Sequence, residues 1–457
     1  MVFVNQAMKR FGATRWDTHE GYFITMESKI PIDLDRMTKA FKTINHHGSF
    51  RTTFHWDKAK GKLLQTIHPS VNVHNTSIVD LSEEPNAYKK AYDTSLANNM
   101  NPNFSLDRLP LISSVMFKLG AGAYAFNITV HNIMTDETSL GIFFYDLFQL
   151  YIHGIDSLPP VQLHYSDFSD WLIRTAGRRA ELRVEQFEYW SKKLGGVQPL
   201  ALTLARPSEV EQRPITQIEG QIDSSALGRY NDYIFTTPAT LFAAFFAAYN
   251  LLLYKYLAQN SFVVGTAVTQ RSMAQLQEVV GFFANMLPIR TTIEDEMSFA
   301  EYLEIFRYDL VGGLSNDDVA LEEIVSQTKA SQDRSYFKHL FAPGGLNMRI
   351  VNRRDASDIT TTAVVSLPNG EKYEFLLTVH YKTGEVILRF DNYLYTERTA
   401  RQFLDPHCSS INSLGRNPHV KIGDVSAVSD NEHSRLVKEL STSGPVIPME
   451  SKLHQVV

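Results

Sequence analysis

Cysteine is almost missing from this chain: Cys408 stands alone among 457 residues, so no internal disulfide can form. Long apolar runs are missing too. The most apolar stretch, Leu241 to Tyr254 (LFAAFFAAYNLLLY), is interrupted by Asn250 and followed by Lys255. That is short of the roughly 20 residues needed to cross a bilayer, so it reads as a buried helix. Met1 to Gly12 mixes polar and basic side chains where a secretory signal needs an apolar core. These absences point to the cytoplasm and away from a membrane. Basic blocks are absent as well: 44 Lys and Arg against 50 Asp and Glu give a net charge of -6, so nucleic acid is not an expected partner. No GxSxG, P-loop, GxGxxG, HExxH or CxxC occurs, which leaves hydrolase, nucleotide-binding and zinc readings without support. The fifteen histidines do not gather at ligand spacings. His46-His47 falls at a predicted helix end, where a solvated or capping role fits better than metal ligation, and no metal is expected.

What is present is enough apolar residue for two domains, 44% of the chain. Leu34, Met37, Ala40, Phe41 and Ile44 recur at the helical period after Pro31-Ile32-Asp33, predicting a helix that ends near His46-His47-Gly48. Leu111 to Lys118 and Ala123 to Val130 read as strands of a hairpin around Gly120-Ala121-Gly122. An apolar helix from about Ser139 to Tyr151 follows. Two more helices, 167–174 and 179–194, lead into a polar, proline-containing region around Pro199 to Pro214 that separates the halves. Beyond it the pattern predicts helices near 239–257, 298–311, 320–328 and 396–414, with strands at 262–268, 345–350, 361–367, 373–380 and 385–390. Alternating helices and strands in both halves, without a short repeat, predict an α/β fold with two lobes of similar build.

One polar stretch carries the chemistry: His131-Asn132-Ile133-Met134-Thr135-Asp136-Glu137-Thr138-Ser139 interrupts an apolar strand and an apolar helix. On spacing alone it is a strand-to-helix turn, with Asp136 or Thr135 as N-cap and His131 as a core histidine.

The same loop resembles the HHxxxDG signature of the condensation domains of non-ribosomal peptide synthetases, which belong to the chloramphenicol-acetyltransferase-like superfamily. Phe50-Arg51-Thr52-Thr53-Phe54 resembles the family's LRTxF element, and Tyr165-Ser166-Asp167-Phe168-Ser169-Asp170-Trp171 its Y-x-D-[FY]-x-x-W element. Tyr189-Trp190 with Leu194-Gly195 resembles YWxxxLxG. Gly265 to Arg271 (GTAVTQR) matches GTxxxxR, and Gly281 to Arg290 (GFFANMLPIR) matches GxFxNxLPxR. The tail, Val428 to Leu436 and Ile447 to Gln455, resembles the linker from a condensation domain into an adenylation domain.

The resemblance implies two acetyltransferase-like lobes, 1–178 and 179–425, forming a V-shaped pseudo-dimer with a central tunnel, and a linker at 426–457. It implies carrier proteins as partners, an adjacent adenylation domain in a longer synthetase, and substrates presented on phosphopantetheine arms with no covalently bound cofactor. Two lobes in one chain need no second copy, so a monomer is expected. A start at Met1 fits a starting module as well as a cut at that point.

By the same resemblance, Asp136 is expected to pair with Arg271 as a structural element, against the alternative of a plain N-cap with Arg271 solvated. Ser139, Glu137 and Asn285 are expected near the channel or the thioester, Ser139 because a helix N-terminus receives polar groups. The pattern breaks at the reacting position. The family's second histidine contacts the attacking amine, and here that position is Asn132. His131 matches the first histidine, but neighbours on an extended segment point opposite ways, so it should face the core. Glu137 replaces the motif's glycine and puts a charge where a substrate arm would pass close to backbone. His47-Gly48 replaces His-Glu, Asn316-Asp317-Asp318 replaces His-Gln-Asp, and the usual SxAQxxxW element is not recognisable before Trp16. Three functions stay open on these residues: amide formation in a non-standard site, a catalytically silent platform that docks carrier proteins or a tailoring enzyme, or acyl transfer to a small free acceptor, whose usual HxxxD histidine is missing too.

Overall fold

The run AYAFNITV alternates large apolar residues, Tyr124, Phe126, Ile128 and Val130, with small or polar ones, Ala123, Ala125, Asn127 and Thr129, and as a strand it is nevertheless buried on both faces. The computed structural model describes residues 19–57, 59, 61–71, 76–100, 102–154, 157–197, 200, 217–257, 259–327, 338–344, 359–367, 373–392, 394–426 and 438. In chain order its strands are β1 (His19–Ser28), β2 (Thr52–Asp57), β3 (Lys62–Ile67), β4 (Thr76–Asp80), β5 (Ile112–Gly120), β6 (Ala123–His131), β7 (Gln217–Gln221), β8 (Ser261–Thr269), β9 (Ala284–Thr292), β10 (His339–Pro343), β11 (Ile359–Leu367), β12 (Phe375–Val379) and β13 (Glu385–Phe390). Its helices are α1 (Leu34–Ala40), α2 (Ala87–Met100), α3 (Glu137–His153), α4 (Tyr165–Thr175), α5 (Ala180–Leu194), α6 (Ser224–Phe235), α7 (Leu241–Tyr256), α8 (Phe299–Leu314), α9 (Leu321–Gln327) and α10 (Glu397–Arg416). The expected strand at 345–350 and, apart from residues 200 and 438, the polar region at Pro199 to Pro214 and the linker-like tail beyond 426 lie outside the described residues. So does the segment before Trp16.

The chain divides into two compact units. The first comprises Met1–Ala180, Thr269–Ala284 and Gly345–Asn369; the second comprises Glu181–Val268, Asn285–Gly344 and Gly370–Val457. In the first, five strands are ordered β11-β1-β6-β5-β4, with β2 and β3 as a separate ribbon. The β5–β6 hairpin turns at Gly122, whose φ of 75° suits glycine. Tyr22, Ile24, Met26, Tyr124, Phe126, Ile128 and Val130 share one core cluster with Phe41, Phe143 and Phe144. Phe23, Phe117 and Ala125 form another with Leu81 and Ala91, and Tyr88 and Tyr92 of α2 meet Phe23 edge-on. Helix α2 lies so close to the sheet that a Cβ on Gly21 would fall 2.1 Å from Asn99 Oδ1. The predicted helix at 34–46 is shorter than its apolar period: α1 stops at Ala40 and continues as a 3-10 turn, Phe41–Asn45, through the weaker helix formers Thr43, Ile44 and Asn45.

The second unit carries a six-stranded sheet, β7-β13-β12-β10-β8-β9. Helix α7 is the apolar run identified in the sequence and is buried from Ala243 to Tyr254. Among the described residues no helix is long and apolar enough to cross a membrane. Two histidines in this unit, His339 and His407, are no more than 1% exposed. Neither ring of the two has a hydrogen-bond partner among the described residues. Burial pushes both down to about 4, with Glu374 partly opposing this at His339.

These two rings are neutral when folded and take up protons near pH 6.5 when unfolded, so stability is complete above that pH. It falls as pH drops from 6.5 towards 4, by about 1.4 kcal/mol per pH unit for each histidine. Urea unfolding of the whole chain between pH 7 and 4.5 measures this slope, and His407→Leu is expected to flatten it by one proton. Equal slopes in the two proteins would refute the assignment.

Candidate functional site

Within the first unit, β6 ends at His131, paired opposite His19 of β1. The imidazole is 2% exposed. Its Nδ1 accepts the Ile133 amide at 3.2 Å, and the His131 carbonyl accepts the Met134 amide at 3.0 Å. This histidine therefore tightens the turn after the strand and is held inside.

Asp136 and Arg271 are neighbours. The N-cap and the ion pair, set as alternatives by the sequence, coexist. Asp136 Oδ1 accepts the Ser139 amide at 2.8 Å and caps α3. The same carboxylate accepts Arg271 Nη2 at 3.0 Å and 3.3 Å on its two oxygens, and the Phe283 amide at 3.1 Å. Arg271 also donates Nη1 to the Leu276 and Val279 carbonyls, at 2.6 Å each, and its guanidinium sits 4.0 Å over the Phe283 ring. The ion-pair side chains are 1% and 7% exposed, so Arg271 is not solvated.

Ser139 completes this cluster. Its Oγ accepts Arg271 Nη2 at 2.6 Å and the Gly281 amide at 3.0 Å, and donates to the Gly281 carbonyl at 2.7 Å. The hydroxyl's one proton and both lone pairs are spent internally, and the residue is fully buried. Gly281 has to be glycine: a Cβ there would lie 2.2 Å from the Tyr165 ring. Tyr165 donates its hydroxyl to the Phe282 carbonyl at 2.7 Å. Burial raises this phenol's pKa, the Asp136 charge adds to the rise, and Arg271 opposes it.

Asn132 is half-buried, and its Nδ2 donates to Glu20 Oε1 at 3.4 Å. Its carbonyl oxygen is out of solvent contact and has no hydrogen-bond partner among the described residues. Glu137 is exposed in the first turn of α3, where the helix dipole favours a carboxylate. Asn285 belongs to the second unit: its Nδ2 donates to the Asp317 and Val319 carbonyls at 2.8 and 3.0 Å, and its Oδ1 accepts the Met286 amide at 2.9 Å. The side chain is a clamp on the Asn316-Asp317-Asp318 segment. The expectation of a solvated or capping His47 is corrected. That ring is 3% exposed, and its Nε2 lies 2.8 Å from Asp146 Oδ2 of α3.

Glu20 and Tyr22, whose hydroxyl donates to Glu20 Oε2, escape the sequence reading. They belong to no motif. Only the antiparallel register of β1 against β6, with Glu20 opposite Val130, brings them to Asn132.

A profile of the family described as "Condensation domain" matches residues 17–437. Bacitracin synthase 3 of Bacillus licheniformis is 26% identical over 434 residues, which cover 93% of this chain and 6% of that protein. The chain thus spans 6% of that relative's length. The first condensation domain of the calcium-dependent antibiotic synthetase, solved with a substrate analogue, is 18% identical and superimposes with a TM-score of 0.78 over 93% of this chain and 97% of that one. The X-domain from teicoplanin biosynthesis, solved in complex with OxyB, is 20% identical with a TM-score of 0.70 over 91% and 93% of the two chains. These two likenesses establish the fold.

Removing either partner of the Asp136–Arg271 pair strands a buried charge, so Asp136→Ala and Arg271→Ala are each expected to lose about 3–5 kcal/mol of stability. The double variant should lose far less than the sum. Denaturant unfolding of the three variants checks this, and additive losses would show that the two groups do not act as a pair.

Proposed function

Because the chain belongs to the condensation-domain family of non-ribosomal peptide synthetases, we propose that it binds an acyl or peptidyl donor thioester and an aminoacyl acceptor, each on the phosphopantetheine arm of a carrier protein, and joins them through an amide. An adenylation domain adjacent in the same synthetase is part of this reading. The observation that carries it is the unshared carbonyl oxygen of Asn132 at the family's reacting position, anchored at its other end by Glu20.

The step is an attack of the acceptor's neutral amine on the donor's carbonyl carbon. The new C–N bond forms, the C–S bond breaks, and the nitrogen loses one proton while the thiolate gains one. An amide oxygen is too weak a base to carry that proton near neutral pH, but it accepts a hydrogen bond from the amine and so directs the lone pair. Alignment of two reactants supplies effective molarities of roughly 10⁵–10⁸ M, against about 10²–10⁴-fold for a positioned acid or base. A site that keeps alignment and lacks the histidine is therefore slow, not inert. In this reading the Asp136, Arg271 and Ser139 cluster fixes the loop, His131 tightens it, and Glu137 borders the acceptor's approach. Asn285 holds the Asp317 and Val319 carbonyls.

A second reading has its own observation. The Asn132 oxygen is out of solvent contact, which suits a silent domain serving as a platform for carrier proteins or a tailoring enzyme. The X-domain seen with OxyB shares the fold.

Donor and acceptor carrier proteins loaded with aminoacyl thioesters decide between them. Amide product is expected with the wild type, at least tenfold less with Asn132→Ala, and more with Asn132→His combined with Glu137→Gly. No product from any of the three, with carrier binding intact, would establish the platform.

A further inference from the structure

We propose that Glu20 is the positioning residue of Asn132. The inference rests on the amide-forming reading of the site. Glu20 lies opposite Val130 in the β1–β6 ladder, and its Oε1 reaches the Asn132 Nδ2 at 3.4 Å. A carboxylate only accepts hydrogen bonds, so it holds the NH2 end of a carboxamide and repels the carbonyl end. The orientation of the Asn132 amide is thereby set by charge. Its oxygen is turned from the carboxylate into surroundings that offer it neither solvent nor a donor among the described residues.

Glu20 is itself held. Tyr22, on the same face of β1 two residues along, donates its hydroxyl to Oε2 and is 4% exposed. The relay from Tyr22 through Glu20 to Asn132 presents one acceptor atom, and a buried acceptor without a partner favours any donor that reaches it. The N–H of an attacking amine is such a donor. A neutral glutamine at position 20 would keep the shape and lose the discrimination, because its own amide can donate to the Asn132 oxygen or accept from its nitrogen.

The same carboxylate is placed to serve an imidazole at position 132. In Asn132→His it would hold the imidazolium and raise the ring's pKa.

The test compares wild type with Glu20→Gln. With asparagine labelled in its side-chain nitrogen and the pair assigned through Asn132→Asp, the two carboxamide protons of Asn132 are expected to be well separated in the wild type and to collapse together in Glu20→Gln. An unchanged pair overturns the proposal. With loaded carriers, Glu20→Gln is expected to lower kcat about tenfold at unchanged KM and unchanged melting temperature. In the Asn132→His background it should move the acid limb of the kcat profile down by about one pH unit. Equal kcat values and coincident profiles overturn the proposal as well. Should the wild type form no amide, the amide-forming reading fails, and the carboxamide spectrum still decides whether Glu20 orients Asn132.

Discussion

The candidate site depends on one buried charge. Arg271 comes from a segment over a hundred residues beyond the loop it supports, and it cannot be left unneutralised in an interior where it is 3% exposed. Asp136 meets it, but the carboxylate is already committed to the first turn of α3, so neutralising the arginine also fixes where that helix begins. The same Nη2 also donates to the hydroxyl of Ser139, and Nη1 gathers the carbonyls of Leu276 and Val279. Gly281 and Phe283 close the group from the other side, through the Ser139 hydroxyl and the Asp136 carboxylate. Segment Thr269–Ala284 is thereby bound to the first unit, although in the chain it stands between β8 and β9.

Much of this was legible because apolar periodicity is local. The run at 241–254 declares itself as a helix apolar on every side, and α7 is buried all round. The hairpin, α3 and the last helix α10 lie within a few residues of their sequence positions. Helix α2 was not legible: in AYKKAYDTSLANNM the buried residues are Ala91, Ser95, Leu96 and Asn99, with Tyr88 and Tyr92 against Phe23, and so mixed a face leaves no plain apolar stripe. Strand β11 was visible as a strand, but nothing in its own residues says that it pairs with β1, with Gly21 opposite Leu367. Sheet membership is a long-range property. For the same reason the motif positions Asp136, Ser139 and Arg271 could be named in advance, whereas Glu20 could not, since its relation to Asn132 exists only through strand register.

The cluster and the reacting position differ in what they tolerate. Every side-chain oxygen of Asp136 and Ser139 has a partner, so altering one member leaves others buried and unmatched, and the cost falls on folding itself. Asn132 is bound by no such ring among the described residues. Asn132 makes one long hydrogen bond, to Glu20, among the described residues, and Glu137 is exposed on the first turn of a helix that favours its charge. The bonds that hold the loop are thus distinct from the one that holds Asn132. An intact Asp136–Arg271 cluster is therefore evidence about the frame of the loop alone.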